Sequence, residues 1–362
     1  MAEIDEQSLI QGLLEAIGEL PDTRATLEEA QAAIPPYGER ADAIARVRSG
    51  GTSYWLLIEA KRNAYPRDVR QGLWQLRNYL AHHVPPDSSP WVPLLAAESI
   101  SPGAREILRE EKVGYYDTGG SLYIPAPGAF IFVEKPPTKQ AQRVAQSIFS
   151  GQSARVLQAA WSRRDAWFGV NELARFAQVS PATASTTLTA LEQRDWVTSR
   201  GAGPAKERRL SDRKSLLDAW TEHQLTTRPP ALSRYFVPTG QVDDLMRRID
   251  VACRTNDVDY EITGEAAGQF YAPYLSHVSQ VRCRIEAGAG QSRVLEQLDA
   301  RRVAEGWNLG LYISKDLGNP AMRVRGEDCW FATALQTYLD LLQAGGRAKD
   351  LAMHLRQEEL GA

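Results

Sequence analysis

The chain has 362 residues, 43% hydrophobic and 24% charged, with a formal net charge of -3. That length exceeds one typical core, so two or three domains are expected, and the slight acidic excess rules out a uniformly basic nucleic-acid coat, so that any contact with DNA has to be local. No apolar run approaches the roughly 20 residues that span a bilayer, and the start Met1-Ala2-Glu3-Ile4-Asp5-Glu6 does not read as a signal peptide, so a cytoplasmic protein with no membrane partner is expected.

In chain order, the segment from Leu9 to Leu20 is amphipathic and predicts a first helix carrying Glu15. Ala41-Asp42-Ala43-Ile44-Ala45-Arg46-Val47 and Tyr54-Trp55-Leu56-Leu57-Ile58 are β-friendly runs separated by Ser49-Gly50-Gly51-Thr52, a hairpin signal. A strand alternates faces, so Glu59 and Lys61 at the end of the second run point the same way. Asp42 heads the first run, where the hairpin would bring its carboxylate beside Glu59. Two close carboxylates repel unless a proton or divalent cation lies between them, and hard oxygen ligands suit Mg²⁺ or Mn²⁺. Asp42 and Glu59 are therefore the expected metal ligands, and Lys61 would orient or activate the attacking water. A Glu-x-Lys tripeptide alone is also ordinary solvent-facing chemistry at a strand end.

With its hairpin, this order of residues resembles the PD-(D/E)xK nuclease-like superfamily, whose motif would fall on Asp42, Glu59 and Lys61. A helix expected after Pro66 carries Gln75-Leu76-Arg77-Asn78-Tyr79, similar to the Gln-x-x-x-Tyr element of several nuclease branches, which adds Gln75 to the implied catalytic set. Ala41 stands where the family usually has proline. The resemblance implies a restriction-endonuclease-like α/β domain. Trp91 to Ala96, Ser101 to Glu111 and Gly114 to Ile124 read as strand, helix and strand, and Phe130-Ile131-Phe132-Val133 as a last strand. The first domain is thus expected over 1–135, and the polar, proline-bearing run from Glu134 opens a linker over 136–150.

Helices are predicted over Ser153 to Arg164, Val170 to Ala177 and Ala182 to Arg194, the last two joined by the tight turn Val179-Ser180-Pro181. That is a helix-turn-helix pattern whose last helix would enter a major groove. Ser180 is its cap, Pro181 suits its first position, and Thr183, Ser185, Thr186 and Thr189 are small hydroxyls able to reach phosphates and base edges. Trp196-Val197-Thr198 and Arg208-Arg209-Leu210 flank Gly201-Ala202-Gly203-Pro204, the expected β-wing of a winged helix over 151–215. Arg200, Lys206, Arg208, Arg209, Arg213 and Lys214 surround it against only Glu207 and Asp212, a local cationic excess suited to double-stranded DNA.

Residues 216–362 predict a C-terminal α/β domain: strands at Tyr260-Glu261-Ile262, Val281 to Ile285 and Trp307 to Ile313, a helix over Gly264 to Tyr274, and a final helical pair over Phe331 to Leu342 and Ala348 to Glu359. No catalytic constellation stands out there. Cys253, Cys283 and Cys329 are odd in number and widely spaced, which suggests neither disulfides nor zinc. His82, His83, His223, His277 and His354 show no metal-ligand or triad spacing. The whole is expected to be a multidomain α/β protein.

The order of modules resembles the AbiEi-type antitoxins of type IV toxin-antitoxin systems, in the larger form with a nuclease-like first domain. The residues behind this are Ile58-Glu59-Ala60-Lys61, Ile100-Ser101-Pro102-Gly103-Ala104-Arg105, Val113-Gly114-Tyr115-Tyr116-Asp117, the winged helix, and Thr337-Tyr338-Leu339-Asp340-Leu341-Leu342 with Gly345-Gly346-Arg347. The resemblance implies a transcriptional regulator that binds operator DNA and represses its own operon, with a nucleotidyltransferase-like toxin as genetic partner and a degenerate nuclease-like domain kept as a packing or DNA-tracking surface. The alternatives are a Mg²⁺-dependent DNA endonuclease targeted by the winged helix, and a scaffold whose modules dock proteins. A symmetric homodimer is expected of a winged-helix regulator, because paired half-sites favour one.

Overall fold

A computed structural model describes residues 5–34, 39–82, 87–136, 147–315, 317 and 319–361. The chain is a mixed α/β protein with twelve α-helices and three sheets among those residues. It divides into two compact units, residues 1–145 with 190–195 and residues 146–189 with 196–362. Most of the expected linker, 137–146, and His83 lie outside the described residues.

The first unit is built on a seven-stranded sheet in sequence order: β1 (Thr23–Ile34), β2 (Glu39–Ser49), β3 (Thr52–Ala64), β4 (Trp91–Ile100), β5 (Gly114–Asp117), β6 (Leu122–Ala126) and β7 (Ala129–Val133). The β3–β4 and β4–β5 pairs are parallel and the rest antiparallel. Parallel neighbours need crossovers, and these are α2 (Pro66–His82) and α3 (Pro102–Glu110). Trp55 and Leu57 pack with Leu73, Leu76 and Tyr79 of α2 and Leu108 of α3, while Tyr54, Leu56 and Ile58 pack with Ile10, Leu13 and Ile17 of α1 (Glu6–Gly18). Burial on both faces explains why this strand reads as an unbroken apolar run. Asp5 starts α1 by accepting from the Ser8 N–H at 2.7 Å.

The predicted hairpin is present, with Ser49 opposite Thr52 and only Gly50 and Gly51 between. Both take positive φ, 53° and 88°, as a two-residue turn of this hand demands. Two features differ from expectation. Gly114 to Ile124 forms two strands, β5 and β6, because Asp117 to Ser121 closes a turn in which Gly120 takes φ 89°. β1, rich in Ala, Glu and Gln, was not expected; ladder pairing with β2 overrides its weak strand propensity.

In the second unit, helices α4 (Gly151–Ser162), α5 (Val170–Ala177) and α6 (Pro181–Gln193) up to residue 189 accompany a three-stranded sheet of β8 (Phe168–Gly169), β10 (Glu207–Leu210) and β9 (Val197–Arg200), in that order. Gln178 ends α5 in the left-handed conformation and turns the chain into α6. The next helix, α7 (Arg213–Thr226), runs across position 215 and buries Leu216, Leu217 and Trp220.

A second seven-stranded sheet follows, in the order β14 (Arg301–Arg302), β11 (Ser233–Phe236), β15 (Leu309–Ser314), β13 (Val281–Glu286), β12 (Tyr260–Thr263), β17 (Trp330–Phe331) and β16 (Val324–Arg325). The three cysteines, distant in sequence, share the core of this sheet. Beside it, α11 (Ala334–Ala344) supplies Asp340, which accepts from Thr263 Oγ1, Arg284 Nε, Arg284 Nη2 and Gln336 Nε2 at 2.6 to 2.8 Å.

Candidate functional site

Two constellations carry the predicted chemistry, each within one unit. The first lies at the ends of β2 and β3. The ladder brings Ala43 opposite Ile58, so Asp42 and Glu59 sit one step further along, and the Ala60 N–H donates to Asp42 Oδ2 at 2.6 Å. Lys61 Nζ donates to Glu59 Oε1 at 2.6 Å and stands 3.5 Å from Gln75 Oε1 on α2. All four residues predicted for this site, Asp42, Glu59, Lys61 and Gln75, are therefore linked in one group. Gln75 and Tyr79 are one helical turn apart; Tyr79 is buried in the core that anchors α2, which fixes the face from which Gln75 reaches Lys61.

The electrostatics of this group are unfinished. Glu59 is 3% exposed, and its Oε2 has no hydrogen-bond partner among the described residues. Burial raises its pKa above the ordinary carboxylate value, the Lys61 bond opposes that rise, and the charges of Asp42 and Glu6 add to it. Burial likewise raises Asp42, against the Ala60 hydrogen bond and the Lys61 charge. The Glu6 influence was not anticipated; Glu15, the acid singled out on the first helix, instead accepts from Gln11 Nε2 at 2.8 Å.

A divalent cation fits this donor set. The orphaned Glu59 Oε2 and the raised pKa of both carboxylates are what a site short of one positive charge shows. Among the described residues no group of three or more His, Cys, Asp or Glu side chains gathers. Two carboxylates with water and phosphate oxygens completing the shell is an ordinary arrangement for Mg²⁺.

The second constellation is α6 with the β9–β10 hairpin. Ser180 caps α6 by accepting from the Thr183 N–H at 3.1 Å, and its Oγ lies 2.9 Å from the Thr183 hydroxyl. Thr183 also donates to Gln152 Oε1 at 3.3 Å, so both residues are engaged in holding the helix start. Thr186 and Thr189 are exposed and Ser185 half-buried, which leaves these three as the outward hydroxyl row.

On the hairpin, Arg200 and Arg209 both lie over the Trp167 ring, at 4.3 and 5.0 Å from its centroid, and Arg200 is ion-paired to Glu207 at 2.7 Å. Lys206 is half-buried. Arg208 corrects the expectation: it is 5% exposed, because β10 alternates and turns Arg208 and Leu210 inward while Arg209 faces out. Sequence reasoning missed Trp167, whose role follows from β8 pairing with β10. Arg213 packs over Trp161 at 3.9 Å and donates to the Trp161 carbonyl at 3.1 Å.

No helix among the described residues is long and apolar enough to cross a membrane. Comparison with protein-family models, curated proteins and solved structures found no match.

Proposed function

We propose that this chain is a DNA-binding transcriptional regulator of the type IV antitoxin kind, engaging operator DNA through a winged helix formed by α6 and the β9–β10 hairpin. The observation that carries this reading is the outward row of Ser185, Thr186 and Thr189 together with Arg200 and Arg209 held on Trp167. Hydroxyls on a helix suit base edges and phosphates, and stacked guanidiniums are pre-ordered for phosphate contact. A nucleotidyltransferase-like toxin would be the genetic partner, and a homodimer would match paired half-sites.

A specific observation favours a second reading, a PD-(D/E)xK-type DNA endonuclease: the four residues gather in one group, with a carboxylate oxygen that has no hydrogen-bond partner among the described residues. Mg²⁺ or Mn²⁺ held by Asp42 and Glu59 would supply charge stabilisation at the scissile phosphate. Lys61, tethered by Glu59, would orient the attacking water, and Gln75 would fix the ammonium from the helix side. The Ala60 N–H holds the Asp42 carboxylate in place for its share of the site.

The two readings separate in one experiment, a titration of plasmid and short duplex DNA with Mg²⁺ and Mn²⁺ that scores binding and cleavage together. Salt-sensitive binding without cutting supports the regulator. Metal-dependent cutting that falls by about 100-fold or more in Lys61→Ala, with binding retained, supports the endonuclease. Absence of duplex affinity at low salt would overturn both and leave the protein-docking scaffold.

A further inference from the structure

The two edges of the first sheet are guarded differently. β1 carries Arg24, Glu28 and Glu29, and its ladder with β2 slips between Leu27 and Glu29, so charge and an irregular register both discourage a further strand. β7, at the other edge, reads Ala129-Phe130-Ile131-Phe132-Val133, with no charge and no proline, and its ladder with β6 runs unbroken from Ala126–Ala129 to Leu122–Val133. Among the described residues no strand pairs with its outer side.

Both faces of β7 are apolar. Ala129, Ile131 and Val133 pack against the core that holds α1. Phe130 and Phe132 turn to the opposite face and stand edge-on to the Tyr123 ring, at 5.8 and 6.0 Å between centroids. Their own rings stay open, at 70% and 47% exposure. An edge that offers unpaired backbone groups beside open aromatic rings is a template for another strand.

We propose that β7 pairs antiparallel with β7 of a second copy of this chain, about a two-fold axis through Ile131, joining two seven-stranded sheets into one. The strand is its own complement in this register: Ile131 meets Ile131, Phe130 meets Phe132, and Ala129 meets Val133 of the other copy. Directly opposite residues share a face, so two aromatic pairs form on the open side. An axis moved to Phe132 sets Phe130 against Glu134, and one moved to Phe130 sets Phe132 against Gly128; each leaves one aromatic pair instead of two. The absence of charge on β7 gives a charged partner strand nothing to recognise, whereas its own sequence matches it position by position.

Four phenylalanine rings and two strand edges cover on the order of 1,000 Å², the lower bound of a specific interface, so a reversible dimer with a Kd of roughly micromolar magnitude is expected. Pairing of β7 with β7 closes at two copies. Pairing of β7 with β1 of a neighbour would instead propagate, and the charges and slipped ladder of β1 oppose it.

The test is sedimentation velocity of the full chain from about 1 to about 100 µM, where a monomer-to-dimer shift with no larger species is expected. Phe130→Lys should weaken the dimer at least about tenfold, and because this side chain is exposed the unfolding midpoint at low concentration should not move. Register is read by oxidation of an equimolar mixture of Phe130→Cys and Phe132→Cys chains. A disulfide-linked dimer is expected from the mixture, whose opposite Cβ atoms lie about 4.5–5.5 Å apart, and none from either variant alone, where the diagonal spacing is about 7–8 Å. The native cysteines are buried and stay out of this reaction. A chain that remains monomeric at about 100 µM would leave the edge to another protein's strand and overturn the proposal. So would a dimer that survives Phe130→Lys, species that keep growing with concentration, or cross-linking of either single variant as readily as the mixture. The outcome does not depend on how the protein engages DNA.

Discussion

Glu59 in the first unit and Asp340 in the second are nearly equally buried, at 3% and 2% exposure, yet their surroundings are opposite. Asp340 accepts four hydrogen bonds, two of them from one guanidinium. Glu59 has one ammonium on Oε1 and, among the described residues, no hydrogen-bond partner on Oε2. Burial alone therefore does not tell a carboxylate that ties a fold together from one with an oxygen left unpaired. The number of donors does, because desolvation is offset only where every lone pair finds a partner.

Substitutions at the two positions test this contrast. Asp340→Ala leaves the half-buried Arg284 beside a void, and a loss of about 3 kcal/mol is expected from the midpoint of denaturant unfolding. An unchanged midpoint would break the comparison. Glu59→Gln should act the other way and raise stability, since it removes a charge that burial disfavours. The sign with pH follows from the raised folded pKa: the wild-type penalty is absent where the carboxyl is protonated and grows as pH rises through the folded value. The advantage of Glu59→Gln should thus widen with rising pH, and added Mg²⁺ should narrow it by stabilising the parent alone. A gap that stays constant with pH would mean that Glu59 is not the titrating group.

The helix-hairpin surface offers a smaller contrast between adjacent arginines. Arg209→Ala should lower the salt dependence of duplex binding by about one unit of slope and leave folding intact. Arg208→Ala should instead shift the unfolding midpoint, since its side chain is inside. The reverse pattern would refute the inward assignment. Smallest of all, Ser180→Ala should cost about 1 kcal/mol of stability through the lost cap at Thr183 N.

The acid–lysine hairpin was legible because its signals are local: period-two apolarity, a Gly-Gly turn and charges at a strand end. Gln75 was legible through its one-turn spacing from Tyr79. Arg208 was misread although the same period-two rule, applied from Leu210, puts it inside. β1 carries Thr23-Arg24-Ala25-Thr26-Leu27-Glu28-Glu29-Ala30-Gln31, a composition that favours helix, and only its partner β2 makes it a strand. Glu261 gave no signal beyond that of a strand residue in Tyr260-Glu261-Ile262; α4 and α11 wall it in from segments far along the chain. The cysteines follow the same logic. They are scattered along the sequence yet share one core, where burial pushes Cys253 and Cys329 up to about 12.

The two-residue turn at Gly50 and Gly51 has a reach beyond its size. It counts the rungs between Ser49–Thr52 and Ala43–Ile58, and so decides that Asp42 arrives at Glu59 rather than at a neighbour. One residue inserted at that surface turn, where nothing crowds the glycines, would slip the ladder and send Glu59 and Lys61 through to the α1 side. Reading frame within the hairpin, more than the identity of any side chain near the turn, is what divergent copies of this protein would have to preserve; length variation there would mark those that have abandoned the site.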